Sequence, residues 1–123
     1  QEREPSLRTV ICGNFFGEAL KRASQIGFQR VVIGIGIGKA VKLAEGYLDT
    51  HSHKVVMNRE FVQQVARATA STQAAEAVKR ITLARELWDI MPTAFFDRIS
   101  VLCETNCRTV FAKGDLEVML ISP

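Results

Sequence analysis

Aromatic side chains that could stack on nucleic-acid bases are scarce in this chain of 123 residues, which has one Trp and one Tyr. Lysine and arginine together number 16 against 13 acidic residues, so the net charge is only +3. The basic residues are dispersed along the chain rather than clustered. Because nucleic-acid binding relies on a concentrated basic surface, often with aromatic platforms, this composition argues against a nucleic-acid partner.

Long hydrophobic runs are also missing. No stretch approaches the roughly 18 consecutive apolar residues of a membrane-spanning helix, and the first ten residues are too polar for a signal peptide. Three cysteines, an odd number, do not suggest a disulfide framework. We therefore expect a cytoplasmic protein without a membrane partner, folded as a single domain over residues 1–123.

The most informative stretch covers residues 31–48. It opens as a short run of β-branched residues, which is typical of a strand buried in a parallel sheet. It then resumes at helical spacing, with apolar residues on one stripe. Three glycines separate the two patterns: Gly34, Gly36 and Gly38. The pattern predicts a strand, a glycine turn and a helix.

Such a turn lets a ligand approach bare backbone N–H groups at the start of a helix. Lys39 and Lys42 add positive charge beside these donors, so we expect an anionic ligand with phosphate or carboxylate groups. The glycine spacing matches neither the dinucleotide fingerprint nor the P-loop. The alternative is a tight connection in which glycine serves only positive φ and close packing.

A β-α-β unit precedes this turn. A strand is predicted over 7–12 and a helix over 15–26, with Gly27 as its C-terminal stop. The two strands should then be parallel, and their glycine turns should face one crevice at the carboxyl edge of the sheet. Asn14 is predicted to be a polar contact in this crevice, and the alternative is that it caps the helix.

The loop after the second helix contains Thr50, His51 and Ser52. These side chains could bind polar groups of a substrate, and His51 could move a proton; the alternative is that the hydroxyls cap a loop or helix. No metal site is predicted, because His51 and His53 have no carboxylate or cysteine cluster nearby in the sequence. A helix over 39–48 would carry this loop away from the glycine turn. Either the helix ends near Gly46 and the chain doubles back, or each motif serves a different ligand or a domain contact.

The rest of the chain predicts further helices over 58–70, over 74–90 and from Pro92 onward. Two short strands over 108–112 and 116–122 flank a Lys-Gly-Asp turn, which indicates a hairpin. The predicted fold is α/β, three-layer-like, with a small mainly parallel sheet, helices on its faces and a C-terminal antiparallel hairpin. An exposed edge strand near the C-terminus is compatible with a homodimer.

A resemblance to a known family lies in residues 38–46, GKAVKLAEG, and in THS at 50–52. They resemble the G-K-x-x-K-x-A-x-G…T-H-S signature of the CbiD family. These are the cobalt-precorrin-5B C1-methyltransferases of anaerobic cobalamin (vitamin B12) biosynthesis. Residues 13–17, GNFFG, are similar to the family's G-N-x-x-G segment.

The resemblance implies a methyltransferase that uses S-adenosyl-L-methionine as co-substrate. Its substrate would be a cobalt-containing tetrapyrrole rich in acetate and propionate side chains. His51 would have the catalytic role, in proton transfer or orientation. The substrate-binding residues would be Asn14, Lys39, Lys42, Thr50 and Ser52. The cofactor-binding residues would be Gly34, Gly36 and Gly38.

Intact members of the family are much longer and have a glycine-rich segment upstream, which this sequence does not contain. The chain is therefore expected to correspond to the carboxy-terminal portion of such an enzyme. The upstream half would be its partner, and the isolated chain would be inactive. The alternative is a non-catalytic α/β module that binds a nucleotide or an acidic metabolite at the glycine turn.

Overall fold

The structure is a computed structural model that describes residues 8–12, 15–49 and 57–123. It contains a three-stranded sheet formed by β1 (Arg8–Ile11), β2 (Arg30–Gly36) and β3 (Asp115–Ile121). The strand order is β1-β2-β3, and both pairs are parallel. The α/β class is confirmed, as is the parallel pairing of the first two strands.

Most of the remaining described chain is helical. The α-helices are α1 (Phe16–Ile26), α2 (Ile37–Glu45), α3 (Arg59–Thr69), α4 (Thr72–Ala77), α5 (Leu87–Ile90) and α6 (Thr93–Cys107). Two 3-10 turns, Val78–Arg80 and Ala84–Glu86, lie between α4 and α5. None of the helices in the described ranges has the length and apolar character needed to cross a membrane.

The predicted C-terminal hairpin is wrong, because β3 runs parallel to β2. Residues 108–112, predicted as its first strand, instead close the end of α6, and Arg108 donates through Nη1 to the Gly114 carbonyl at 2.7 Å. Gly114 has φ +92°, and the next amide, of Asp115, donates to the Gln29 carbonyl at 2.8 Å. This contact starts β3 beside the beginning of β2, which makes the pair parallel.

The single helix predicted over 74–90 is also wrong. The α-helix stops at Ala77, and Ile81 has an extended backbone. Glu86 Oε2 then accepts hydrogen bonds from the backbone amides of Thr82 at 2.9 Å and Leu83 at 2.7 Å. These two amides therefore need no helical carbonyl as acceptor, which stabilises a break in the helix at this point. The apolar spacing of the sequence nevertheless continues through the break.

The core lies on one face of the sheet. Val31, Ile33 and Ile35 are at most 3% exposed and belong to one cluster with the buried side chains of the helices. Helix α6 packs on β3 and on α2, and Cys103 on α6 donates through Sγ to the Ala40 carbonyl at 3.2 Å. The helices in the described part of the chain cover this face, so the expectation of helices on both faces is not met there.

Candidate functional site

A cleft of about 560 Å³ lies at the carboxyl end of β2, where the chain enters α2. Its floor is the backbone of residues 36–38, and its walls include Leu83, Arg85, Trp88 and Ile121. Ligands of parallel α/β sheets bind at this edge of the strands. The cleft is therefore the candidate site that the sequence predicted at the glycine turn.

The three glycines of the turn differ in what surrounds them. A Cβ on Gly36 would meet nothing within 4 Å, whereas one on Gly34 would lie 3.2 Å from Ile121 Cδ1 and one on Gly38 would lie 3.6 Å from Ala84 Cβ. None of the three has a positive φ. Gly34 thus serves close packing, and Gly36 is the glycine that leaves open space above the backbone.

Helix α2 begins at this open space without a side-chain cap. Its N-cap is Gly36, which has an extended backbone and no side chain that could accept from the first amides. These amides and the positive end of the helix dipole favour an anion at this position. The anionic ligand expected from the sequence stays a prediction for this position.

The two predicted lysines are placed differently from each other. Lys39 is half-buried in the first turn of α2, close in sequence to the cleft floor. Lys42 lies in the last turn, where its Nζ is 3.9 Å from Glu45 Oε2 and 5.5 Å from the centre of the Tyr47 ring. The structure therefore does not bring Lys42 to the glycine turn.

Arg85 supplies the cationic side chain among the residues that line the cleft, and it is not one of the site residues predicted from the sequence. Arg85 lies in the 3-10 turn Ala84–Glu86. The hydrogen bonds that the backbone amides of Leu83 and Thr82 donate to the Glu86 carboxylate lower the pKa of that carboxyl. Arg85 is exposed, and because the segment was predicted as an unbroken helix, no local signal indicated that this side chain lines the cleft.

Trp88 forms part of the cleft wall and is fixed from behind. Its ring stacks on Phe96 with centroids 4.1 Å apart and an interplanar angle of 10°. Its indole N–H is buried and has no acceptor in the described ranges. Trp88 therefore contributes an apolar ring surface to the wall, beside the charged Arg85.

Five residues of interest, Asn14, Thr50, His51, Ser52 and His53, lie outside the described residues. Their described neighbours contact each other: Phe15 forms an antiparallel bridge with Asp49, and Phe16 N donates to the Leu48 carbonyl at 3.1 Å. Asp49 Oδ1 also accepts from the Gly17 amide at 3.0 Å. Residues 15–17, which follow Asn14, are thus in contact with residues 48–49, which precede Thr50.

These contacts are made because α2 is short. It ends at Glu45, and Gly46, with φ +113°, turns the chain so that Leu48 and Asp49 reach the start of α1. A Cβ on Gly17 would lie 3.1 Å from Asp49 Oδ2, so glycine permits the approach. Of the two arrangements considered for this loop, the structure shows the early helix end.

Of the three cysteines, one has a thiol that is accessible to reagents. Cys12 is exposed, whereas Cys103 and Cys107 are fully buried. Burial raises the pKa of both buried thiols, that of Cys107 to about 12. Within the described ranges no three metal-ligating side chains come together. The two buried thiols are therefore structural rather than nucleophilic.

No family model matches this chain, and no solved structure matches it. Curated proteins named cobalt-precorrin-5B C(1)-methyltransferase do match. The protein of Prosthecochloris aestuarii is 33% identical over 125 residues, which cover 96% of this chain and 34% of the relative. That of Thermoanaerobacter sp. is 33% identical over 121 residues, 89% of this chain and 32% of the relative. That of Geobacillus kaustophilus is 32% identical over 109 residues, which cover 85% of this chain and 28% of the relative. The chain thus spans about a third of the length of these relatives.

Proposed function

The chain belongs to the CbiD family of cobalt-precorrin-5B C(1)-methyltransferases, and we propose on this basis that it forms part of an enzyme that methylates carbon 1 of cobalt-precorrin-5B in cobalamin biosynthesis. The observation on which this rests is the identity of 33% over 96% of the chain. Because the chain spans about a third of its relatives, the activity is proposed for the chain together with the remainder of such an enzyme. A cytoplasmic location is part of the same proposal.

The methyl donor in this proposal is S-adenosyl-L-methionine, bound at the cleft over Gly36. Its chemistry fits the cleft: a carboxylate suits the uncapped amides of α2 and the guanidinium of Arg85, and apolar parts suit Leu83 and Ile121. The donor supplies a methyl group on a positively charged sulfur. Methyl transfer is an in-line displacement that needs positioning above all, so the residues of the cleft would act by holding the donor in line.

The tetrapyrrole would be bound by the segments that flank the junction of Phe15 and Asp49. Asn14, Thr50 and Ser52 would donate hydrogen bonds to its carboxylates, Lys39 would pair with one of them, and His51 would orient the reacting ring or move a proton. The bridge between Phe15 and Asp49 supports the part of this assignment that concerns Asn14 and Thr50, since it joins the residues next to them in the sequence.

Lys42 would join the substrate site only by leaving Glu45. The two side chains are only 22% and 9% exposed, and Glu45 Oε2 is buried without a hydrogen-bond partner among the described residues, so moving Lys42 away would leave a buried carboxylate oxygen unpaired and would carry a free-energy cost. Gly34 would shape the donor site through its close packing on Ile121 rather than by direct contact, whereas Gly38 would contribute backbone to the cleft floor.

A chimera tests this function. In it, the present chain replaces the matched segment of a curated relative, and methyl transfer from S-adenosyl-L-methionine to cobalt-precorrin-5B is followed by mass spectrometry. We expect an active chimera. Arg85→Ala should raise the KM for the donor about tenfold, the size of one charge-assisted contact of about 1.4 kcal/mol.

The matched control is Arg67→Ala, which removes an exposed arginine of α3 and should leave the KM unchanged. A chimera that unfolds cooperatively but transfers no methyl group would contradict the proposal. Binding of a simple nucleotide, with no binding of S-adenosylhomocysteine or of a carboxylated corrinoid, would favour the non-catalytic module instead.

A further inference from the structure

One face of the sheet is apolar and uncovered among the described residues. We call it the outer face and define it by Val10, Val32, Gly34, Met119 and Ile121, which alternate along the strands with the buried residues of the core. Val10 is 66% exposed, Met119 51% and Ile121 55%. Parallel sheets are almost always covered on both faces, so an exposed face of this kind is exceptional.

The strand order explains why the described helices leave this face open. Each strand is added on the same side of the previous one, in the order β1-β2-β3. Crossovers between parallel strands are right-handed in nearly all proteins, so successive crossovers in one direction place their helices on the same face. Covering the other face requires chain that is not part of these crossovers.

The apolar part of the outer face is continuous across the strands. Met119 lies opposite Gly34 in the register, and Ile121 Cδ1 reaches to within 3.2 Å of where a Cβ on Gly34 would be. At the other end of the strands the face becomes polar, because Arg30 and Glu117 form an ion pair of 3.3 Å there. A hydrophobic centre with a charged rim is the anatomy of a protein–protein contact.

We propose that the outer face is the docking surface for the part of a CbiD-type polypeptide that lies outside the matched third, and that this part covers the face with an apolar layer of helices. The identity of the occupant rests on the proposed function. It is supported by the length of the relatives, which exceed the matched segment by about two thirds of their own length. A covering of that size would turn the exposed strands into an ordinary buried parallel sheet.

Cys12 gives a direct test of docking, because it is the exposed thiol and its Sγ lies 3.5 Å from where a Cβ on Gly34 would be. The labelling rate of Cys12 by a maleimide is measured by peptide mass spectrometry in the isolated chain and in the chimera. Docking should slow the labelling about tenfold or more in the chimera, since a covered thiol reacts only after local opening. Equal rates would overturn the proposal.

A second measurement uses a matched pair of substitutions. Met119 and Val101 are 51% and 48% exposed, but Val101 lies on α6 and outside the outer face. Met119→Lys should lower the melting temperature of the chimera and leave that of the isolated chain nearly unchanged, whereas Val101→Lys should do neither. If the two substitutions affect the chimera equally little, the outer face is not a docking surface.

The outcomes separate this inference from the proposed function. An active chimera in which Cys12 labels as fast as in the isolated chain would overturn docking and leave the function standing. A protected Cys12 in an inactive chimera would support docking and contradict the function. A dimer of the isolated chain that Met119→Lys dissociates, with Cys12 unprotected in the chimera, would assign the face to a second copy and overturn the proposal.

Discussion

At the scale of single residues, two glycines with the same positive φ should differ in how well they tolerate a side chain. Gly27 and Gly114 both have φ +92°. A Cβ on Gly27 meets nothing within 4 Å, whereas one on Gly114 would lie 2.8 Å from the Gln29 carbonyl oxygen. We expect Gly27→Ala to cost about 1 kcal/mol of unfolding free energy, from backbone strain alone.

Gly114→Ala should cost clearly more, about 2–4 kcal/mol, because the added Cβ also pushes apart the contact that starts β3. Urea unfolding of the two variants, followed by circular dichroism, measures the difference. Equal losses would show that the turn before β3 relaxes freely, and that the close approach to Gln29 does not determine the parallel pairing.

The buried thiols make the stability sensitive to alkaline pH. Folding raises the pKa of Cys107 from its ordinary value near 9 to about 12, because burial disfavours the thiolate. The native state therefore holds this proton more tightly than the unfolded state between these values. The corresponding stability is fully present below pH 9 and is lost as the pH rises toward 12, by up to about 1.4 kcal/mol per pH unit for each thiol.

Urea unfolding at pH 8 and pH 10 checks this expectation. The decline with pH should be smaller in Cys107→Ala, although that variant is less stable at both values because of the cavity that it leaves. The same slope in both proteins would show that Cys107 ionises as readily in the native state as in the unfolded state. Only Cys12 should react with a thiol reagent in the native chain at pH 8.

At the scale of elements, an amide side chain ties the end of α2 to α6. Asn106 on α6 donates through Nδ2 to the carbonyls of Leu43 at 2.8 Å and Ala44 at 3.0 Å, at the end of α2. Asn106→Ala leaves these carbonyls without this donor, so we expect a loss of about 1–3 kcal/mol in unfolding free energy. Chemical denaturation measures it.

The neighbouring Thr105 is the matched control, because it is exposed and its hydroxyl donates within α6, to the Val101 carbonyl at 2.9 Å. Thr105→Ala should change the stability by no more than about 0.5 kcal/mol. A similar small effect for Asn106→Ala would mean that water replaces the amide, and that apolar packing together with the Cys103 thiol is enough to join the two helices.

The elements that could be predicted from the sequence are those with strong local signals. The β-branched run before Gly34 and the αL glycine at position 27 correctly indicated β2 and the end of α1. The break inside residues 74–90 was not predictable, because Glu86 stabilises it by accepting amides of Thr82 and Leu83 while the apolar period runs on. The spacing of apolar residues indicates which side chains are buried. It does not indicate which backbone amides will donate hydrogen bonds to a side-chain carboxylate.

The hairpin failed for a non-local reason. A glycine between two short apolar runs is typical of a hairpin, but the amide after Gly114 bonds to the Gln29 carbonyl, far away in the sequence. The candidate site was likewise predictable only in part. The turn at Gly36 follows from the local sequence pattern, whereas Arg85 lines the cleft because of how the chain packs in three dimensions. His51 and its neighbours remain predictions, as does the single domain over residues 1–123.

At the scale of the whole molecule, the three strands should differ in stability. β2 is paired on both sides, along four residues with β1 and seven with β3. β1 is four residues long, pairs on one side within the described residues, and exposes Val10 on the outer face. Strands with few buried contacts open first, so β1 should be the first part of the sheet to exchange its amide hydrogens.

Hydrogen exchange followed by mass spectrometry tests this order in the isolated chain. Amides of β2 that are buried between two neighbours should exchange at least about tenfold more slowly than those of β1, which corresponds to about 1.4 kcal/mol of opening free energy. In the chimera, a layer docked on the outer face should slow the exchange of β1 more than that of β2, because β1 has the most contact still to gain. Fast exchange of β1 in both proteins would mean that no layer covers the β1 edge of the sheet. Equally slow exchange of β1 and β2 in the isolated chain would mean that the three strands unfold as one unit without any covering layer.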